Sequence, residues 1–305
     1  MLPTVLARAE WQARAEAHRA RVDVRVQPHL DRRRDGIVHP VHDFLFTYYS
    51  QRPAALRRWH PGYGVTLLDA PEYTDLKGYG RIVPRAGHPS AAEESAARVG
   101  LTVTDTHLAS QRPLIESTRQ LLAATASRPP TLGCFGLHEW AMVYRADGVR
   151  HDRPLRLGSE GTDKVVESHR ISCSHFDAFR FFTEAARPLN TLQPGRDDRP
   201  AHEQPGCLHA GMDLYKHAFR LAPLVPSELV ADAFELAWDI RILDMRAAPY
   251  DLSGLVLDPT GEPWTPLQVE TPEGKHEYVA AQRAFAARAA PLRRRLIDWC
   301  ERLGS

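Results

Sequence analysis

No stretch of this 305-residue chain approaches the roughly 20 consecutive apolar residues that cross a bilayer, so a membrane protein is not expected. Charge of one sign is missing too. Lys and Arg number 39 against 38 Asp and Glu, so there is no global basic signature of a nucleic-acid binder, and any such binding must rest on local patches. Cysteine is scarce, at four, and no two stand as Cys-x-x-Cys, so no structural zinc motif is present. With no secretory leader in the sequence, Cys134, Cys173, Cys207 and Cys300 read as reduced thiols of a cytoplasmic protein. Glycine-rich phosphate loops, Gly-x-Ser-x-Gly elbows, low-complexity tracts and clear internal repeats are all absent.

What is present is an ordinary 43% of hydrophobic residues, 24 prolines and 15 histidines. The prolines imply many irregular connections, and the histidines invite a metal or acid–base reading. Three short stretches concentrate that chemistry: residues 133–140 with Cys134, His138 and Glu139; residues 172–182 with Cys173, His175, Asp177 and Arg180; and residues 206–213 with Cys207, His209 and Asp213. Each pairs a cysteine with a histidine two or four residues later and a carboxylate soon after.

Taken in order, the pattern predicts a mainly α fold with a minor β-sheet, forming a single large α-rich globular domain over 1–305. Residues 4–26 read as a helix ending near Pro28, part of an N-terminal helical arm over 1–36. The arm closes in the charged turn 31–36, which is either solvated surface or a phosphate-contacting segment. Val41, Phe44, Leu45 and Tyr48 fall at helical spacing, and a short helix follows from Arg52 to about Trp59. His39 and His42 are candidates to face a pocket. Short strands are expected at 65–68 and 81–83, a variable connection over 88–110, and a helix from Gln111 to Ser127. The active-site core is expected over 131–222. Within it Leu137–Tyr144 reads as helix, 155–158 and 165–171 as strands, Phe176–Phe182 as helix, and the segment after Cys207 as a helix with His209, Asp213 and His217 near one line. C-terminal helices fill 226–305. The first starts at Ser227 and carries an acidic stripe of Asp232, Glu235 and Asp239, with Asp244 near its end; an acidic stripe is ordinarily the wet face of an amphipathic helix. The last runs from about Glu273 to Leu303, burying Tyr278 and Leu296 and showing Arg283, Arg288, Arg293, Arg294 and Arg295 outward.

The histidine clusters support several chemistries. His138, His175 and His209, with nearby carboxylates, are the right residue types for a zinc or non-haem iron site. Metal-free acid–base chemistry is a second reading. In a third, the cysteines are small buried hydrophobes and the histidines bond backbone carbonyls in the core. Catalysis by Cys173 is disfavoured, because apolar burial raises a thiol's pKa.

The strings HPVHDFLFTYYSQRPAALRRWHPG, LGCFGLHEWAMVYR, ESHRISCSHFDAFRFFT, QPGCLHAGMDLYK and LDMRAAPYDLSGL resemble an actinobacterial family usually labelled 3-methyladenine DNA glycosylase. The resemblance implies hydrolysis of the N-glycosidic bond of alkylated purines in double-stranded DNA, with no cofactor. Such a reaction needs aromatic faces around the extruded base and a carboxylate that activates water or steadies a cationic sugar. Trp140, Tyr144, Phe179, Phe135 and Trp59 offer faces, Glu139, Asp177 and His175 are the catalytic candidates, and Arg180 is a further substrate contact. Arg32–Arg34 and Arg293–Arg295 are the arginines available for phosphates. The alternatives are an iron- or zinc-dependent enzyme acting on a small molecule through His138, His175 and His209, and a non-catalytic nucleotide or small-ligand binder.

Overall fold

The computed structural model describes residues 4–82, 99–146, 153–256 and 261–305. The chain begins with a strand, β1 (Thr4–Leu6), and then a helix, α1 (Arg8–Arg34), that runs through Pro28 instead of ending there. Proline removes one backbone donor and normally breaks a helix. Here tertiary anchors on both sides hold it. Trp11, His18, Val22, Val26 and His29 form one buried stripe, and beyond the proline His29 stacks on Phe46 at 4.1 Å and meets Asp43 at 2.8 Å. The expected charged turn at 31–36 is therefore mostly the last turn of α1, with Arg32 paired to Asp43 at 2.7 Å.

Two short helices follow, α2 (Phe44–Thr47) and α3 (Pro53–Arg57), and then strands β2 (Val65–Leu68), β3 (Tyr79–Ile82) and β4 (Gly100–Val103). The strands form one sheet in the order β1-β2-β4-β3, with β1 parallel to β2 and the other pairs antiparallel. Of the variable connection expected over 88–110, the part up to residue 98 lies outside the described residues. The part beyond it is instead β4 and the start of α4 (Asp105–Ala126), whose Thr104 cap accepts the His107 amide at 3.1 Å.

After α5 (Leu137–Ala141), a helix stands where strands were expected. This is α6 (Gly158–Glu167). Thr162, Val165 and Val166 are all buried, and their spacing of three and four is helical. β-branched side chains suggested strand, but the period decides. Only isolated bridges, Leu155 to Tyr250 and Ile171 to Asn190, remain of the expected strands. Next come α7 (Phe176–Phe179), α8 (Arg199–His202), α9 (Leu208–Leu221), α10 (Ser227–Ala247) and α11 (Pro272–Gly304). The fold is mainly α with one small sheet, as the pattern predicts. Helix α10 lies in the middle, packed by α9, α11 and α1, while α11 also lies along α4. At Gly211 α9 packs closely on α10, since a Cβ there would stand 2.8 Å from the Ile240 side chain. Among the described residues no helix is long and apolar enough to cross a membrane.

Candidate metal centre

The site grows from the way α5 docks on the end of α10. Phe135 and Gly136 both take positive φ (47° and 68°), turning the chain sharply into α5. A Cβ at Gly136 would press on Ala247 at 3.2 Å, so glycine serves both the conformation and the contact. Trp140 then donates its indole N–H to the Ala247 carbonyl at 2.9 Å. With α5 fixed there, His138 falls beside Asp244, one turn before Ala247 on α10. His209, in the first turn of α9, closes the group: its ring centroid is 4.4 Å from that of His138. One ligand atom each from His138, His209 and Asp244 lies within 4.8 Å of the other two.

The polar geometry of this group is unusual. His138 Nε2 and Asp244 Oδ1 form a buried ion pair 2.9 Å apart. The other oxygen of Asp244 accepts from Arg241 Nη1 at 3.0 Å. The same Nη1 reaches Glu139 Oε1 at 3.2 Å, and Glu139 Oε2 is buried without a hydrogen-bond partner among the described residues. Arg241 itself is 2% exposed, with the ring of Phe44 4.0 Å from its guanidinium carbon. Burial works to lower the His138 imidazole, but the Asp244 carboxylate overrides it and raises the net value. Burial, reinforced by His138, pushes His209 well below its ordinary value, which leaves it neutral and able to ligate. Burial tends to raise Asp244, yet His138 holds it below the usual carboxylate range.

His209 is partly exposed, in a small pocket of about 50 Å³ that it shares with Phe44, Tyr48, Glu139, Met142, Asp177, Phe181 and Arg241. Of His138, His209 and Asp244 only His209 lines this pocket, with the other two buried behind it, and larger depressions lie elsewhere on the surface, one of about 470 Å³ beside Trp11 and Tyr73.

His175 is close, with its ring centroid 5.2 Å from that of His209, but Asp244 stands in the ligand group where the sequence suggested His175. His175 instead points into a second network. Its Nε2 lies 3.5 Å from both Glu203 and Asp213, which are bridged by Arg199 at 2.6 and 2.9 Å. Asp213 also takes the Tyr49 hydroxyl at 2.9 Å and Lys216 at 3.2 Å. The expected line of His209, Asp213 and His217 therefore splits between two environments. His217 is buried and pushed down to about 3 by that burial. Asp177 reaches Lys216 at 3.0 Å and Arg180 at 3.3 Å. Burial works to raise Asp177, but Lys216 holds it below its ordinary value. Arg180 also donates to the Tyr48 hydroxyl at 3.3 Å.

The aromatic faces are mostly not available. Trp140, Tyr144, Phe179 and Trp59 are all buried in the core, Phe135 is partly exposed, and Arg293 is buried instead of lying on the outer face. His39 and His42 stack on each other at 4.1 Å, and His42 packs on Trp238 at 4.4 Å. Burial raises the thiols of Cys134 and Cys207 and takes Cys173 up to about 12, so none of the three is a thiolate.

Asp244 and Arg241 are the functional candidates that the sequence reading passed over. A signal was there. At about 100° per residue, Asp244 lies about 120° around α10 from Asp232, within the stripe of Ala233, Ala237 and Ile240, not on the acidic face. A carboxylate at the centre of an apolar stripe marks a buried polar site. Compared with known proteins, the chain matches no family model, no curated protein and no solved structure.

Proposed function

We propose that the protein is a divalent-metal enzyme that hydrolyses a small polar substrate, with the ion held by His138, His209 and Asp244. The observation that carries this reading is the convergence of one ligand atom each from His138, His209 and Asp244, all within 4.8 Å of one another. Two imidazoles beside a carboxylate form a donor set that suits a divalent cation, which on binding displaces the proton His138 shares with Asp244. Among the described residues, Arg241 is the one guanidinium contacting the buried carboxylates of Asp244 and Glu139. With protonated thiols nearby, the donors are nitrogen and oxygen, a set that suits catalytic zinc or ferrous iron.

Bound there, such an ion supplies Lewis acidity and lowers the pKa of a coordinated water to about 7. The chain's own groups do the rest. Glu139 Oε2, unpartnered beside the pocket, accepts the proton of the attacking water. Arg241 fixes the carboxylates of both Asp244 and Glu139 from behind, as outer partners of metal ligands do. Asp177, ionised beside Lys216, offers an acceptor to a substrate N–H or O–H at the pocket wall. Phe44, Phe181 and Met142 limit water. At about 50 Å³, far below the roughly 300 Å³ of ordinary ligand pockets, the cavity admits the reacting end of a substrate only.

The glycosylase expectation draws less support. Most of the aromatic faces it needs are core residues. Arg32 and Arg295 are engaged by Asp43 and Asp232, at 2.7 and 2.6 Å.

The test is metal content. Protein stripped with a chelator and reloaded with Zn²⁺ or Fe²⁺ is expected to hold about one ion per chain by mass spectrometry. His209→Ala and Asp244→Asn should lose it, with affinity down roughly a hundredfold, while His175→Gln keeps it. Reloaded wild-type protein holding well under a tenth of an ion, or variants binding as the wild type does, would sink the proposal.

A further inference from the structure

Arg293 is a buried charge with no ion-pair partner among the described residues. It lies on the inner stripe of α11 with Tyr278, Ala289, Leu296 and Cys300, and is 2% exposed. Its Nε and Nη2 are buried with no hydrogen-bond partner, and among the described residues it makes no ion pair. Burial lowers its pKa against smaller opposing pulls from Cys207 and then Glu203, whose carboxylate is taken by Arg199. A guanidinium removed from water without a counter-charge is strongly unfavourable, and chains keep one buried when something else supplies the anion.

Arg293 lines a groove of about 590 Å³ between α11 and the residues that follow α4. Two further arginines, Arg283 and Arg294, stand on its rim; both are exposed and neither makes an ion pair among the described residues. Its remaining walls are apolar, formed by Ala126, Leu132, Ala286 and Ala290 with two prolines, and no lining residue carries a carboxylate. Three guanidiniums over an apolar floor are complementary to an anion that carries a hydrocarbon body.

We propose that this groove is a second binding site, for a small organic anion whose carboxylate or phosphate head meets Arg293, Arg283 and Arg294 and whose apolar part lies along the alanines of α11. A nucleic-acid backbone fits less well, because the central guanidinium lies at the floor of the groove and not along an exposed ridge. The site shares no lining residue with the metal pocket, so it stands or falls independently of the metal reading.

The experiment titrates the full chain with octanoate and with phenyl phosphate, following melting temperature and heat of binding, alongside inorganic phosphate and a short DNA duplex. One or both amphipathic anions should raise the melting temperature saturably, and inorganic phosphate should do so more weakly. Arg293→Met should abolish the shift and melt higher than the wild type without ligand, because the unpaired charge is gone. The Arg283→Ala/Arg294→Ala pair should weaken binding by roughly tenfold or more. Both are surface positions, so that pair decides the matter if Arg293→Met does not fold. Metal content should be unchanged throughout. The proposal is overturned if neither amphipathic anion shifts the wild type, if the arginine variants bind as well as it does, or if the duplex binds where the small anions do not.

Discussion

Two buried clusters of histidine and carboxylate sit side by side in this protein, and they differ in what meets the carboxylates. Around His175, the carboxylates of Glu203, Asp213 and Asp177 are met by Arg199 and Lys216, with Arg180 at the edge. Around His138, Asp244 and Glu139 share the single guanidinium of Arg241. The first cluster is closed electrostatically and reads as scaffold. In the second, His138 supplies the further counter-charge to Asp244, and the neutral His209 stands beside the pair, so that three ligand-type atoms lie within 4.8 Å of one another. The lesson is that histidine beside carboxylate is common to both clusters, and that the two differ in whether a second, neutral imidazole joins the pair at ligand distance.

The same substitution made in each cluster separates them most sharply. Asp213→Asn strips a 2%-exposed carboxylate from Arg199, Lys216 and Tyr49, and is expected to cost about 3–5 kcal/mol in urea denaturation, with or without metal. Asp244→Asn also breaks a buried ion pair, with His138 and Arg241, and is expected to cost about 3–5 kcal/mol without metal, but in this variant alone added metal should no longer raise stability. Metal protection that survives Asp244→Asn, or that disappears equally in Asp213→Asn, would mean that the two clusters do not differ in this way. A smaller effect is expected from Tyr49→Phe. It removes a single 2.9 Å hydrogen bond to ionised Asp213 and should cost about 1.5–3 kcal/mol. A neutral result would show that the arginine and lysine alone satisfy that carboxylate.

The smallest effect belongs to Asp177, where the two clusters meet. Its folded pKa lies below the ordinary 3.8, against the opposing pull of burial, because of Lys216. A depressed carboxyl gives stability that is fully present above the unfolded value and drains away as pH falls through the folded one. Asp177→Asn should therefore cost about 1 kcal/mol at neutral pH and flatten the acid limb of stability below about pH 4. Urea midpoints measured from pH 2 to 6 would read the change in slope, and an unchanged acid limb would mean that Lys216 does not hold Asp177 in solution.

Much of the fold was legible in the chain. The apolar stripes of α10 and α11, the short α3 and the strand at 65–68 follow from local period and turn residues, and the strand expected at 81–83 stands two residues earlier at its start, at Tyr79–Ile82, with residue 83 outside the described residues. The errors came where tertiary contacts outweighed local preference. Helix α1 passes Pro28 because His29 is anchored to Asp43, and α6 is helical because Thr162, Val165 and Val166 share one buried face.

For the site, the sequence by itself determined the residue types, and that His138, His175 and His209 belong to separate segments bearing carboxylates. That His138 and His209 approach each other, with rings 4.4 Å apart, was settled by the docking of α5 and α9 against α10. Which carboxylate joins them was decided by tertiary structure as well. Asp244 lies more than a hundred residues from His138 and faces it only because Gly136 and Trp140 seat α5 on the Ala247 turn. Arg293 followed the same rule, legible on the inner stripe of its helix but taken for surface because it is charged. Spacing along a helix says which way a side chain points. Whether a charge pointing inward is paired, left for an ion, or left for a ligand depends on what the other elements bring to meet it.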